Sequence, residues 1–403
     1  MRVIIHKSAP SGSVNAPPSK SIAHRMILCA ALSEGTSVIR NIDPSNDISA
    51  TLDAISSFGA SYGYDNGTLT VTGVDAVHLR IQNKINCREC GSTLRFVIPL
   101  CMISETGGTL TGSARLLERP LTVFERICTQ QGICYDKKDE YVHVGGGMQN
   151  GVFTVPGDVS SQFITGLLFA LPLLQGDSRI ILTGKTESRP YIDLTLYVQR
   201  LFGIENTWID DHTLYVKGGR RYHSASVENE GDWSNAAFLL AFHHLGYHVD
   251  VMGVNDNSLQ GDSVCKEMFF ALKQGSGVFD LSDCPDLAPI LFAFAAANRG
   301  GVFTGTKRLR IKESDRASAM AQELLKFGCE TVVTEDTVTV HPCALHAPQT
   351  PLCGHNDHRI VMCLAVLCVI TGGVIEGAEA VNKSYPRFFE DLKRLKVDLK
   401  YEA

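Results

Sequence analysis

The chain has 403 residues, 44% of them hydrophobic and 20% charged, with 37 basic against 43 acidic side chains and a net charge of -6. That length suggests two or three domains with ample core. The acidic balance argues against a general nucleic-acid binder, which needs a broad basic excess, but it leaves room for a concentrated cationic pocket that takes a small anion. The start, Met1-Arg2-Val3-Ile4-Ile5-His6-Lys7, lacks the long apolar core of a signal peptide and reads as a strand. The most apolar runs, 163–174 and 360–370, are too short to span a bilayer. An odd count of 13 cysteines without a secretory signal fits a reduced, cytoplasmic chain. Cys87-x-x-Cys90 lacks the second matched pair of a zinc site and the βαβ context of a redox site, so no metal is expected there.

In chain order, the first stretch with chemistry is Pro17-Pro18-Ser19-Lys20-Ser21-Ile22-Ala23-His24-Arg25. Two prolines stiffen the approach, and Ser19 or Ser21 can cap a helix whose apolar run continues through Met26, Ile27 and Leu28. A helix start offers free N–H groups and partial positive charge. Lys20 with His24, and Ser21 with Arg25, stand four apart and would share faces. A hydroxyl, an ammonium and a guanidinium at one helix start suit a phosphate or a carboxylate. An ordinary capped helix with solvated bases would look the same from this segment alone.

A pattern then recurs. Gly-rich turns opening short β-like runs fall at residues 35, 107, 176, 246, 300 and 372, mostly about 70 residues apart with one interval of about 55. An amphipathic helix generally follows and ends at a Gly turn: Phe58-Gly59, Gln131-Gly132, Phe202-Gly203, Gln274-Gly275 and Phe327-Gly328. Several units close on alternating strands, at 68–71, 141–144, 213–216 and 337–340. Self-similarity at this period predicts six α/β units grouped as two domains of three. The seam falls in the polar, acidic stretch 224–232. If the first strand belongs with the second half, the chain crosses over near residues 14 and 228, giving domains of 1–14 plus 229–403 and of 15–228. The opening stretch would then lie at a hinge.

Cationic and hydroxyl groups recur at the edges of these units. Gly91-Ser92-Thr93 opens an apolar helix, with Gly91 allowing close backbone approach to a ligand. Arg115 and Arg119 flank Glu118 at a strand-to-helix corner, where a guanidinium can fork onto carboxylate or phosphate. Ser160-Ser161-Gln162 begins another apolar run, and Ser188-Arg189-Pro190-Tyr191 adds a further hydroxyl and base. Carboxylates enter in the second half. Asp286 precedes an otherwise apolar helix and reads as its N-cap, or as an acid–base group. Arg308 to Arg316 is the densest charge cluster, with Lys312 and Arg316 expected on one helix face and Glu313 beside them, able to hold an anion and move a proton. His355-Asn356-Asp357-His358-Arg359 and Lys383-Ser384-Tyr385-Pro386 complete the series. Each cluster alone could be solvated surface. Their recurrence at equivalent edges points to two half-sites, rich in Lys, Arg and Ser, for small anions.

Taken together, these stretches resemble the 3-phosphoshikimate 1-carboxyvinyltransferases, the EPSP synthases of the shikimate pathway. The matching motifs are P-S-K-S-x-x-x-R at 18–25, G-S-T-x-R at 91–95, E-R-P at 118–120, S-S-Q at 160–162 and S-R-P-Y at 188–191. They continue with P-D at 285–286, K-E-S-D-R at 312–316, N-D-H-R at 356–359 and K-S-Y-P at 383–386. Nine modest motifs in family order, from residue 17 to 386, make the resemblance specific. It implies two domains, each of three βαβαββ units, with the active site in the cleft between them. The implied reaction moves the enolpyruvyl group of phosphoenolpyruvate to the 5-hydroxyl of shikimate 3-phosphate, releasing phosphate, with no cofactor and no metal. Carried over by motif, Lys20, Ser21, Arg25, Ser160, Ser161, Gln162, Ser188, Tyr191, Asp286 and Lys312 would meet shikimate 3-phosphate. Lys20, Gly91, Arg119, Gln162, Arg316, Arg359 and Lys383 would meet phosphoenolpyruvate. Asp286 would take the proton of the attacking hydroxyl and Glu313 would handle the proton at the methylene carbon, with Lys20 and Lys383 as further proton carriers. The partners implied are these small molecules, not nucleic acid or membrane, and a monomer is expected.

Two positions depart from the family pattern. Glu89 stands where many members carry Asn, and Phe96 where many carry Pro. A carboxylate beside an anion site should weaken binding unless a base such as Arg88 or Arg95 pairs with it. Gly91 leaves room for glyphosate, so sensitivity to that inhibitor is expected. Two rival readings are the sister transferase acting on UDP-N-acetylglucosamine and a non-catalytic phosphometabolite-binding protein of the same fold. The first uses a reactive Cys in a loop motif that none of the cysteines here occupies. The second would need the arginines but not Asp286, Glu313, Lys20 and Lys383 together.

Overall fold

The computed structural model describes residues 1–82, 84–275 and 277–402. The chain forms two compact units, Pro18–Glu230 and Met1–Pro17 with Gly231–Ala403. The divisions fall a few residues after the expected 14 and 228, and strand pairing explains the first. Strand Ser11–Asn15 runs parallel to His248–Met252, and Asn15 is the last residue in register, opposite Met252.

Among the described residues, five four-stranded sheets share one connection pattern. In each, two parallel strands are followed by two antiparallel neighbours, as in Ile85–Asn86 beside Gly108–Thr111, then Tyr141–Val144, then Tyr135–Lys137. The same order recurs in the sheets centred on Ser178–Thr183, Thr36–Arg40 and Gly301–Thr304. The fifth borrows a strand. Arg2–Ile5 lies between Gly373–Glu376 and Leu399–Glu402, antiparallel to both. The sixth unit is reduced: among the described residues its sheet is only the parallel pair of Ser11–Asn15 with His248–Met252.

Each unit has its own core. In Pro18–Glu230 the inner helices are Lys20–Ala31, Gly91–Ile103 and Ser161–Ala170, nearly wholly buried beyond their first residues. In the other unit Trp233–His244, Ala288–Ala296 and His358–Thr371 play the same part. A helix apolar on all faces must be enclosed, so its polar residues can stand only at its ends. This places the hydroxyls and bases of the sequence motifs at helix N-termini. Inner helices also approach closely. A Cβ on Gly166 would lie 2.4 Å from the Arg95 carbonyl, the group for which Pro99 has no helical N–H to offer. Outer amphipathic helices end on left-handed glycines at Gly59, Gly132, Gly203 and Gly328, as expected. Gly275 differs: its φ of 171° is extended backbone, and helix Cys265–Gln274 stops there without a left-handed cap.

Glu323, on the outer helix Arg316–Lys326, is 2% exposed. Lys326 Nζ approaches it at 2.9 Å, the ring Nε2 of His355 at 3.0 Å, and the Cys353 N–H donates to it at 3.0 Å. Burial pushes this carboxyl up, but the hydrogen bonds from His355, Lys326 and Cys353 outweigh it and hold the pKa below the ordinary 4.5. A pKa lower in the folded than in the unfolded state means that unfolded chain binds the extra proton. The stabilisation is therefore complete above the ordinary carboxylate range and is lost as pH falls through the folded value. The expected result is that acidification below about pH 5 lowers the urea midpoint of wild type more than that of Glu323→Gln. Equal losses in the two proteins would contradict it.

Candidate active site

In Pro18–Glu230 the motif residues gather at helix starts. Ser19 caps helix Lys20–Ala31 by accepting from the Ile22 N–H. Lys20, first in that helix, donates through Nζ to Asp47 at 2.7 Å, a carboxylate in the first turn of helix Asn46–Ser57. Their side chains are 15% and 11% exposed. His24 does not share a ligand-facing surface with Lys20, as the four-residue spacing suggested. It is buried, with Nδ1 at 2.7 Å from Thr51 Oγ1, which in turn lies 2.7 Å from Thr93 Oγ1. Burial first, then the charges of Lys20 and Arg25, push its imidazole well below the usual value, so it is neutral at pH 7.

Arg25 is buried too. Its guanidinium donates to the Ser21 carbonyl, to Thr195 Oγ1 and to the Tyr191 carbonyl, at 2.6, 2.8 and 2.8 Å. It thereby ties helix Lys20–Ala31 to helix Arg189–Leu201, and burial brings its pKa down to about 10. Ser188 precedes that second helix in the left-handed region, at φ 57°. Ser160 caps helix Ser161–Ala170 by accepting from the Gln162 N–H. The Gln162 amide links Ser92 Oγ, at 3.1 Å, to Arg95, which donates to Gln162 Oε1 at 2.8 Å. Arg115 makes the surface pair with Glu118 at 3.6 Å, whereas Arg119 is 7% exposed. The Arg119 guanidinium lies over the start of helix Gly91–Ile103: a Cβ on Gly91 would stand 2.5 Å from its Nη1.

The unit containing Gly231–Ala403 centres on Asp286. This residue sits in the one-turn helix Pro285–Leu287 and is not the N-cap of Ala288–Ala296 that the sequence suggested. Among the described residues three cations from two stretches of chain reach its carboxylate: Lys312 Nζ at 3.2 Å, Arg316 Nη1 at 2.8 Å and Arg359 Nη2 at 2.9 Å. Lys312 follows the short helix Lys307–Ile311 and Arg316 begins Arg316–Lys326, so they share a carboxylate and not a helix face. Glu313 holds Arg316 Nη2 at 2.8 Å. Asp357 is wholly buried and takes Arg316 Nε at 2.9 Å, Ser314 Oγ at 3.0 Å and the Arg359 N–H at 3.0 Å. Burial works against the Arg316 charge, but Asp357, Glu313 and Asp286 together hold its pKa well above normal. Burial lowers the pKa of Lys312, with Asp286 opposing. Lys383, buried at the end of helix Ala378–Lys383, donates to the Asn356 carbonyl.

Three groups escaped sequence reasoning. Asp357 lay inside the 355–359 motif without a role of its own; the structure makes it the N-cap of helix His358–Thr371 as well as the partner of Arg316. Asp47 follows a Ser-Asn cap signal and carried no sign of Lys20. Arg95 entered only as a base that could pair with Glu89, with no sign of its bond to Gln162. Of the departures, Phe96 is 1% exposed and packs edge-on against Phe169 at 5.6 Å, inside the core. Arg88 pairs with Asp53 at 2.7 Å.

Helices that begin in hydroxyls, amides and guanidiniums thus recur in units of repeated βαβαββ order. Residues 5–392 match the family model for EPSP synthase (3-phosphoshikimate 1-carboxyvinyltransferase). The curated protein named 3-phosphoshikimate 1-carboxyvinyltransferase from Clostridium kluyveri is 39% identical, over 98% of this chain and 97% of its own length. That of Clostridium perfringens strain SM101 is 37% identical over the full length of both. Among solved structures, EPSP synthase from Acinetobacter baumannii has a TM-score of 0.81 at 24% identity, covering 99% of this chain and all of its own. The enolpyruvyl transferase NikO from Streptomyces tendae has 0.77 at 15%, covering 100% and 98%. At those identities the structural likeness speaks to the fold. The chain belongs to the EPSP synthase family, and it is a transferase of the shikimate pathway, in aromatic amino-acid biosynthesis. Among the described residues no helix is long and apolar enough to cross a membrane.

Proposed function

We propose that the two residue clusters serve one reaction, the transfer of the enolpyruvyl group from phosphoenolpyruvate to the 5-hydroxyl of shikimate 3-phosphate. The observation that supports this best is the meeting of Lys312, Arg316 and Arg359 on Asp286, with Glu313 against the same guanidinium. Two polyanionic substrates have to be brought into contact, so their repulsion must be neutralised by fixed cations. Arg119, Arg316, Arg359 and Lys383 grip phosphoenolpyruvate, with Lys20, Gly91 and Gln162 alongside. Ser21, Ser160, Ser161, Ser188 and Lys312 hold shikimate 3-phosphate with Tyr191 against it, and Arg25 fixes the Ser21 and Tyr191 backbone.

Asp286 acts as the base for the 5-hydroxyl. Ringed by three cations it is a poor base. When substrate anions take over the guanidinium donors, its basicity rises, so proton transfer waits for substrate. Glu313 handles the methylene proton, with Lys20 and Lys383 as additional carriers. We further propose a cytoplasmic monomer that glyphosate inhibits.

Phosphate release from phosphoenolpyruvate, with shikimate 3-phosphate or UDP-N-acetylglucosamine as acceptor and no added metal, tests the reading. Release with shikimate 3-phosphate alone is expected. Tight binding without release would reduce the chain to a binding module. A methyl group at Gly91 would displace the Arg119 guanidinium. Gly91→Ala should therefore raise the KM for phosphoenolpyruvate by roughly tenfold or more, the worth of one charge-assisted hydrogen bond. The KM for shikimate 3-phosphate should hardly move, and an effect confined to that substrate would misplace Arg119.

A further inference from the structure

Beside Lys20 lies a second cluster that the transfer reaction does not use. His24, Asp47 and Cys90 come from three different helix starts, and their ligand atoms all lie within 4.8 Å of one another. Cys90 Sγ is 3.8 Å from His24 Nε2. Around a tetrahedral zinc ion, with Zn–S near 2.3 Å and Zn–N near 2.0–2.1 Å, such atoms stand about 3.5 Å apart. Only a small movement would let one ion touch both. The imidazole already has an outer partner, since Nδ1 meets Thr51 Oγ1, which meets Thr93 Oγ1. With Nδ1–H donating to Thr51, the Nε2 lone pair faces the Cys90 sulfur. Outer hydrogen bonds of this kind orient histidine ligands in built metal sites. Cys90, N-cap of helix Gly91–Ile103, and His24 are 2% and 1% exposed, and Asp47 is 8% exposed.

We infer that His24, Asp47 and Cys90 form a binding site for a thiophilic divalent cation, zinc in the first instance, whose occupancy loosens Asp47 from Lys20. Thiolate, imidazole and carboxylate are the donors zinc takes, with a fourth position left to water. On binding, the Cys90 thiol gives up its proton to solvent as the metal–sulfur bond forms, and the thiolate and carboxylate neutralise the dication. Zinc and the Lys20 ammonium, 2.7 Å from Asp47, compete for the charge of one carboxylate, so the metal weakens the hold of Asp47 on Lys20. The metal is an inhibitor in this account and has no part in the transfer step. The inference rests on the proposed use of Lys20 only for its effect on turnover, and not for the site itself.

The test is a cobalt titration of full-length protein carrying Cys134→Ser and Cys353→Ser, which removes the exposed thiols. A thiolate-to-cobalt charge-transfer band should saturate at a single ion per chain and vanish on adding Cys90→Ser, a change that keeps a capping acceptor for the Thr93 N–H. Zinc should displace the cobalt and suppress turnover over the same concentration range, and a chelator should restore turnover. Cys90→Ser should weaken zinc inhibition by roughly 10–100-fold or more. Absence of the band, or its survival in Cys90→Ser, would overturn the site. A filled site with full turnover would overturn the competition with Lys20. The band is read whether or not the protein turns over, so failure here is separable from failure of the proposed reaction.

Discussion

Asp286→Asn is expected to lower kcat by roughly 10²–10⁴-fold, the usual worth of a general base, without raising the KM of either substrate. Asparagine keeps the shape and one acceptor oxygen but can neither take a proton nor hold a charge. In wild type the carboxylate occupies donors on Lys312, Arg316 and Arg359 that the substrates must win. Removing its charge leaves these cations more available, so KM for the anions should stay level or fall. Steady-state kinetics separate the outcomes. An unchanged kcat would remove Asp286 from proton transfer. A higher KM at full kcat would make it a binding group only.

Arg316→Leu should destabilise its unit by about 3–5 kcal/mol, the cost of breaking a buried ion pair by removing one partner. Arg316 is 1% exposed and serves Asp357, Glu313 and Asp286 at once, while Asp357 has no exposure at all. Leucine fills part of the space and takes the guanidinium from Asp357, which keeps the Ser314 hydroxyl and the Arg359 N–H but loses its charged partner there. Arg316→Lys keeps a charge but loses the planar fork, so it should fall between the two. Urea unfolding followed by far-ultraviolet circular dichroism checks the order. A leucine variant that unfolds with wild type would show that the carboxylates find other partners.

The repeat was legible because its markers are local. A left-handed glycine after a helix and a two-residue alternation in a strand leave signs within a few positions, as at Phe58-Gly59 and 68–71. The sixth unit was over-read for the same reason: Gly246 opens a strand, but no antiparallel pair follows it among the described residues. Helix starts at Lys20, Gly91 and Ser161 were readable from caps before apolar runs, and so were the polar residues confined to them. What spacing could not give was direction. Lys20 and His24 stand four apart, yet one reaches Asp47 and the other turns inward to Thr51. Asp286, Arg316 and Asp357 meet only through folding of distant segments, and nothing within any one segment announces the other two.

The chain order of the two units carries a consequence for synthesis. Strands Arg2–Ile5 and Ser11–Asn15 are made before the unit Pro18–Glu230, but their partners are His248–Met252, Gly373–Glu376 and Leu399–Glu402. Everything needed for the unit Pro18–Glu230 is made in between. That unit can close its own core while the two earlier strands wait, unpaired, until residues 248–402 are made. Non-local pairings of this kind are slow to form, and an unsatisfied strand edge invites association with other chains. The short length of both strands, and the Gly12 and polar neighbours in the second, keep that waiting edge a weak template. The sheet that contains Arg2–Ile5 is thus complete only once residues 399–402 have been made and paired with it.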